Sequence, residues 1–144
     1  WQAVTLEDVT TDGLELSLDL PGRGPWTLRC VYQWLDKRSD THVRASRYAL
    51  DVPEHRLDAI AGFAPAPWVA LHLRQALFVL PDNPERSGGE TGKPARLEVQ
   101  LEPPNWKPFG LKAAVDNLWN DAFQHLPGQP SPGRRFSAAV TCRW

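Results

Sequence analysis

The sequence predicts an α+β domain in which a mainly antiparallel sheet is packed by one long C-terminal helix and one short helix. Two neighbouring patterns lead to this prediction. Residues 97–101 alternate apolar and polar side chains, which is typical of a half-buried strand. From Leu111 the apolar spacing changes to three and four residues, which is typical of a helix with one apolar stripe. The predicted stripe consists of Leu111, Ala114, Val115, Leu118, Trp119, Ala122 and Phe123.

Short alternating segments separated by turns make up the first third of the chain. Asp12-Gly13 is a strong hairpin signal, and the glycines and prolines of 21–25 predict a second turn. We therefore predict an N-terminal four-stranded antiparallel meander whose apolar side chains face inward. The predicted strands cover residues 4–9, 14–20, 26–34 and 43–50.

The rest of the chain combines a short helix, later strands and polar loops. A capping pattern at 51–54 predicts a helix that ends at Gly62. Segments rich in glycine and proline that lack periodicity predict flexible loops. The later strands are predicted at 76–80 and 136–144, and the loops at 81–96 and 127–133.

Length, composition and charge predict a single domain spanning residues 1–144. The chain is 42% hydrophobic and 23% charged, which is typical of soluble globular proteins. Its net charge of −1 creates no strong field toward nucleic acid or an anionic surface. No apolar run approaches the roughly 20 residues of a membrane-spanning helix. We therefore expect no membrane partner and a cytoplasmic location, with a removed leader left open.

Residues that could carry catalysis or hold a metal lack the usual spacings. The four histidines show no metal-ligand pattern, and Pro94 stands where a phosphate-binding loop requires Ser or Thr. Cys30 and Cys142 fall on the inward faces of their predicted strands, as two free thiols or as a disulfide. We expect no metal, no cofactor and no catalytic residue, with an enzyme site assembled only in three dimensions kept as an alternative.

The stretch around Lys112 and Asp116 resembles the corresponding stretch of RusA-type Holliday-junction resolvases, in which a strand ends in prolines and a helix follows. In that family, metal-binding aspartates precede the lysine by six and four positions. Here Trp106 and Pro108 occupy those positions, and neither can bind magnesium. The resemblance therefore implies a related scaffold that does not cut.

These patterns favour a non-enzymatic protein-interaction domain, such as a small adaptor or a toxin-neutralising, immunity-type protein. Tryptophan and arginine dominate the energetics of protein interfaces, and the chain has seven tryptophans. The candidate contact residues are Trp106, Arg74, Arg86 and Trp68. The alternative is a nucleic-acid-binding or degenerate nuclease-like module, in which arginines of adjacent strands form a basic strip. Its candidates are Arg29, Arg44, Arg47, Arg134, Arg135 and Arg143.

Overall fold

The fold is built almost entirely of antiparallel strands. The structure is a computed structural model, and it describes residues 9–20, 22, 24–39, 52–83, 86–87 and 89–142. Its strands are β1 (Val9–Leu20), β2 (Trp26–Ser39), β3 (His55–Ala66), β4 (Val69–Val79), β5 (Thr91–Gly92), β6 (Ala95–Leu101), β7 (Phe109–Asp116), β8 (Gln124–Leu126), β9 (Gln129–Pro130) and β10 (Arg135–Cys142). Seven of them form one sheet in the order β1-β2-β3-β4-β6-β7-β10, and β5 pairs with β4.

The prediction of an α+β fold with a long C-terminal helix is wrong. Residues Phe109–Asp116 form strand β7, which pairs with β6 on one side and β10 on the other. Leu111, Ala113 and Val115 also fit a period of two, so the local pattern is compatible with both structures. This segment forms a strand and not a helix because it pairs with two neighbouring strands, and such tertiary contacts override a weak local preference. Asn117 then ends the strand in a left-handed conformation with φ 49°.

Two predictions nearer the N-terminus also need correction. Strand β1 runs straight through Asp12-Gly13, so no hairpin turn forms there. The predicted short helix is wrong, since His55–Ala66 is strand β3 and pairs with β2 and β4. The predicted strands at 4–9 and 43–50 lie outside the described residues, except for Val9.

Several strand predictions are confirmed. Strands are present over 14–20, 26–34 and 97–101, and over most of 76–80. The last predicted strand is β10, which is described as far as Cys142. The predicted flexibility of 81–96 and 127–133 stays a prediction, as does the single-domain organisation. Among the described residues, no helix has the length and the hydropathy needed to cross a bilayer.

The register divides the sheet into two chemically different faces. Residues directly opposite each other in antiparallel strands point to the same face. The chain of opposite residues Leu16, Tyr32, Leu57 and Leu77 therefore defines one face, which we call the apolar face. Asp58, Arg74, Arg96 and their neighbours define the other, which we call the polar face. On the apolar face also lie Leu14, Leu18, Leu20, Leu28, Cys30, Ala59, Ala61, Phe63, Leu71, Leu73, Leu97, Val99, Leu101, Leu111, Ala113, Val115, Phe136, Ala138 and Val140.

The buried core is small and belongs to the polar-face side of the sheet. Its cluster consists of Phe78, Leu80 and Phe123, with Phe78 and Phe123 in edge-to-face contact. Phe78 lies opposite Arg56, so it points to the polar face. Loop residues near Asn117 complete this region, because the Asn117 amide donates hydrogen bonds to the carbonyls of Asp121 and Pro132. Burial is therefore concentrated where loops cross the polar face.

Candidate binding surfaces

Most of the exposed large apolar side chains of the described strands lie on the apolar face. Leu14, Leu16, Leu18 and Leu20 of β1 are 50–57% exposed, although the alternation predicts that they face inward. At the opposite edge, Phe136 and Val140 of β10 are 76% and 72% exposed. The inward orientation predicted for the β1 leucines is wrong, because no described element packs over them.

The size of this face exceeds that of ordinary surface patches. Seven strands spaced about 4.8 Å apart and roughly eight residues long give a geometric footprint on the order of 900 Å², although the side chains of β3 and β6 within it are half-buried. The largest apolar patch of a typical monomer is about 300–600 Å², and larger ones mark binding or membrane surfaces. Between the rows of Trp26 and Trp34, the described apolar face carries no Asp, Glu, Lys or Arg side chain.

Aromatic side chains gather at both ends of the strands. At the end where β2 begins, which we call the Trp26 end, Trp26 stacks on Phe63 with ring centroids 4.1 Å apart. The other end, which we call the Trp34 end, carries Trp34, Tyr32 and the nearby ring of His55. The middle of the face is mostly leucine, alanine and valine. On β2 and β3, aromatic rings thus border an aliphatic band at both ends.

The polar groups on the apolar face bond within the chain. A hydrogen bond of 2.9 Å joins the Tyr32 hydroxyl to His55 Nδ1. Gln75 donates to the carbonyls of Ala76, Lys93 and Pro94, and its Oε1 accepts a hydrogen bond of 2.7 Å from Trp119 Nε1. Because these polar groups already have hydrogen-bond partners within the chain, they do not require hydrogen bonds from a binding partner. The surface that a partner would contact is therefore mainly apolar.

The polar face carries two groups of ion pairs and hydrogen bonds, one around Asp58 and one around Arg96 and Glu98. Asp58 lies between Arg56, at 2.6 Å, and Arg74, at 3.5 Å. Arg96 donates to Asp116 at 2.7 Å and to Glu98 at 2.9 Å. Lys112 approaches Glu98 within 3.0 Å, and Gln100 donates to it at 2.7 Å. Charges on this face are therefore largely compensated inside the chain.

These contacts shift the pKa of several groups. Hydrogen bonds from Gln100, Arg96 and Lys112 lower the pKa of Glu98 from 4.5 to about 2. Burial raises the pKa of Asp58. The hydrogen bond and positive charge of Arg56, together with those of Arg74, outweigh burial and hold the pKa of Asp58 below its ordinary value. Bonds to Glu98 and Asp116 raise the pKa of Arg96. All three groups are held in their charged forms.

The four predicted contact residues do not converge on one surface. Trp68 and Trp106 lie at the Trp26 end, both 44% exposed, where Glu102 N donates to the Trp68 carbonyl. Arg74 lies on the polar face in the middle of β4. Arg86 is buried, and its guanidinium donates to the Pro81 carbonyl, so it has a structural contact rather than an exposed one.

The sequence patterns did not identify the apolar face as a site. Its signal was present in the alternation of each strand, for example Leu14 to Leu20. That alternation was interpreted as the inner side of a covered sheet, because a sheet face of this kind is normally packed by another layer. Nothing in a single strand tells whether such a layer exists.

The cysteines and the candidate metal ligands give no second site. Cys30 and Cys142 are free and lie on β2 and β10, which four other strands separate. Within the described part of the chain, no group of three or more His, Cys, Asp or Glu side chains could hold a metal ion. Lys112 and Asp116 lie on strand β7, so the helix implied by the resemblance to RusA-type resolvases is absent there.

The predicted basic strip is represented only in part. Arg29 on β2 and Arg135 on β10 share the polar face, at nearly opposite sides of the sheet, and Arg134 directly precedes β10. Arg44, Arg47 and Arg143 lie outside the described residues.

Comparison with known proteins finds no matching family model, no similar curated protein and no similar solved structure.

Proposed function

We propose that this chain is a non-enzymatic binding domain whose apolar face contacts the hydrocarbon of a lipid layer. The observation that carries the proposal is the apolar face that runs across seven strands, with exposed large apolar side chains on β1, β2, β4, β7 and β10 and half-buried ones on β3 and β6. Removing apolar surface from water is favourable by about 25 cal/mol per Å². The exposed side chains of this face lie together within a footprint on the order of 900 Å², so burying them as one unit provides a larger driving force than burying scattered surface leucines.

The dimensions of the aliphatic band fit a lipid layer. From Trp26 to Trp34, strand β2 rises roughly 27 Å at about 3.4 Å per residue. The hydrocarbon core of a typical bilayer is about 30 Å thick. Tryptophan and tyrosine concentrate at its two boundaries, because their rings are apolar and their N–H or O–H groups seek polar partners. The aromatic residues at the Trp26 and Trp34 ends match this distribution.

The chemistry of the face favours lipid over a protein partner. Protein interfaces carry roughly one hydrogen bond per 100–200 Å², with a polar rim. On the apolar face the amide of Gln75 and the Tyr32–His55 pair already bond within the chain. Contact with hydrocarbon, which forms no hydrogen bonds, therefore leaves none of these side-chain groups without a hydrogen-bond partner. The adaptor, toxin-neutralising, nucleic-acid-binding and enzyme interpretations stay predictions.

The edges of the sheet set a condition on this proposal. In the described chain, β1 and β10 each have a strand neighbour on one side only. Unpaired peptide groups cost several kcal/mol in hydrocarbon. We therefore expect each edge to pair with a strand from outside the described residues when the apolar face meets lipid.

Vesicle flotation tests the proposal with a matched pair of variants. Leu16→Asp places a charge on the apolar face, whereas Ser17→Asp places the same charge on the polar face one residue away. We expect the unaltered chain and Ser17→Asp to float with zwitterionic vesicles. Leu16→Asp should bind at least about tenfold more weakly, because a carboxylate in hydrocarbon costs about 3 kcal/mol.

Tryptophan fluorescence supplies the second measurement. Lipids brominated along the acyl chain should quench the indole emission of the chain, and Trp26→Phe should reduce the quenched fraction. Circular dichroism of each variant checks that the strands are retained. The proposal is wrong if the unaltered chain stays in the aqueous fraction, or if the two aspartate variants float equally well.

A further inference from the structure

The arginines of the polar face depart from a general rule of strand pairing. Arg74 on β4 lies directly opposite Arg96 on β6, so both side chains point to the same face from adjacent strands. Like charges in this position destabilise a sheet. Positions at which a folded chain breaks a local rule are often functional. The same row continues through Asp116 on β7 to Arg135 on β10.

A cavity of about 360 Å³ opens over this row. This volume is within the range of small-molecule sites. Four arginines and two aspartates line the cavity, which leaves two positive charges in excess. The rings of Phe78 and Phe123 line it as well, so cationic groups and an apolar surface meet in one place. The charged lining residues are Arg56, Arg74, Arg96, Arg135, Asp58 and Asp116.

The four guanidinium groups are not equally engaged. Arg96 is held by Asp116 and Glu98, at 2.7 and 2.9 Å. Arg56 holds Asp58 at 2.6 Å, which leaves Arg74 only a longer contact of 3.5 Å with the same carboxylate. No ion pair holds Arg135 within the residues that the structure describes. Arg74 and Arg135 therefore have donors to offer a ligand.

We propose that this cavity binds a small anionic molecule that combines a carboxylate or phosphate group with an apolar ring. The guanidinium groups of Arg74 or Arg135 would hold the anionic group, because their planar forks match both carboxylate and phosphate oxygens. The ring would lie against Phe78 and Phe123. The compensated pairs around Arg96 keep the site in place when it is empty. This site is on the opposite face from the proposed lipid surface and does not depend on it.

Calorimetric titration at about 0.15 M ionic strength tests the site, with phenyl phosphate and benzoate as probes and the full chain kept in the buffer or detergent that maintains its fold. At least one probe should bind with a Kd of about 1 mM or tighter. Arg74→Gln and Arg135→Gln should each weaken binding about fivefold to tenfold. The matched control is Arg29→Gln, which removes the same charge from the polar face outside the cavity and should change the Kd less than about twofold.

The outcomes separate a built site from general charge attraction. If Arg29→Gln weakens binding as much as Arg74→Gln, or if inorganic phosphate binds as tightly as phenyl phosphate, the cavity does not recognise the combination proposed. Absence of binding of both probes overturns the proposal as well. Should Arg74→Gln fail to fold, Arg74→Lys keeps the charge and loses the fork, and it should still weaken binding. Vesicle flotation of these variants should be unchanged. Flotation therefore tests the lipid proposal separately from the proposal of an anion-binding cavity.

Discussion

The two faces of the sheet differ in where their partners come from. On the polar face, carboxylates and guanidinium groups of neighbouring strands satisfy one another, as Arg96 does with Glu98 and Asp116. On the apolar face, the leucines of β1 and the side chains of β10 find no covering layer among the described residues. The polar face is therefore largely complete within the chain, whereas the apolar face requires something from outside. This difference is the reason that we propose the apolar face as the lipid-binding surface.

The same comparison shows where the chain's own stability comes from. The buried cluster of Phe78, Leu80 and Phe123 lies on the polar-face side, beneath loops, and not against the broad apolar face. Large apolar residues of β1 and β10 contribute little packing within one chain. We therefore expect stability in solution to depend on a few residues near the Trp34 end, and stability with a partner to depend on many more.

The largest expected effect is in the small core. Phe123→Ala removes a ring that is 7% exposed and packs edge to face on Phe78, so it should cost about 3–4 kcal/mol in the free energy of unfolding. Denaturant titration measures this loss. A cost below about 1 kcal/mol would mean that the core lies elsewhere.

A smaller effect is expected from acid on the polar-face network. Because the folded-state pKa of Glu98 is lowered from 4.5 to about 2, its contribution to stability is present above pH 4.5 and is lost as the pH falls toward 2. Half-exposed partners screen this contribution, so we expect about 1 kcal/mol.

The substitution Glu98→Gln should remove part of that acid dependence. Denaturant titrations between pH 5 and 2.5 compare the two proteins. Equal slopes of stability against pH would show that Glu98 is not held by its neighbours in the way described. Glu15→Gln is the matched control, since this carboxylate accepts a hydrogen bond from Gln33 on the same face but lies away from the network around Arg96.

The smallest expected effect is on the open face in the absence of a partner. Leu16 is 57% exposed, so Leu16→Ala should change the free energy of unfolding in buffer by less than about 0.5 kcal/mol. With vesicles present the same substitution should lower stability more, because the leucine is then buried. An equally small effect in both media would remove the distinction between the two faces.

The candidate site illustrates what sequence patterns can and cannot provide. Alternation predicted the side of each strand on which Leu14, Leu97 or Phe136 lies. It could not predict that these sides form one face, because the register between strands is a long-range property. The expectation of no membrane partner relied on the length of apolar runs, and no helix among the described residues is long and apolar enough to cross a bilayer. A strand with apolar residues at every second position contains no such run, however apolar one of its faces is.

The predicted contact residues stay a prediction, and their surroundings could not be inferred from the sequence for a related reason. Arg86 was named as a candidate contact residue, yet its guanidinium donates a hydrogen bond to the Pro81 carbonyl and the residue is buried. Arg74 was named without its neighbour, and only the register shows that it lies opposite Arg96. Residue type indicates what a side chain can bind, but its surroundings decide whether it is available.

By itself, the sequence determined that segments 14–20, 26–34 and 97–101 are strands. It also determined which of their residues lie on the same side, since both properties depend on neighbours two positions apart. The tertiary structure decided that 55–66 and 109–116 are strands as well, because pairing partners on both sides outweigh a weak helical pattern. It also decided that the leucines of β1 face outward. Whether an apolar face is covered depends on distant parts of the chain or on another molecule, and no local pattern contains that information.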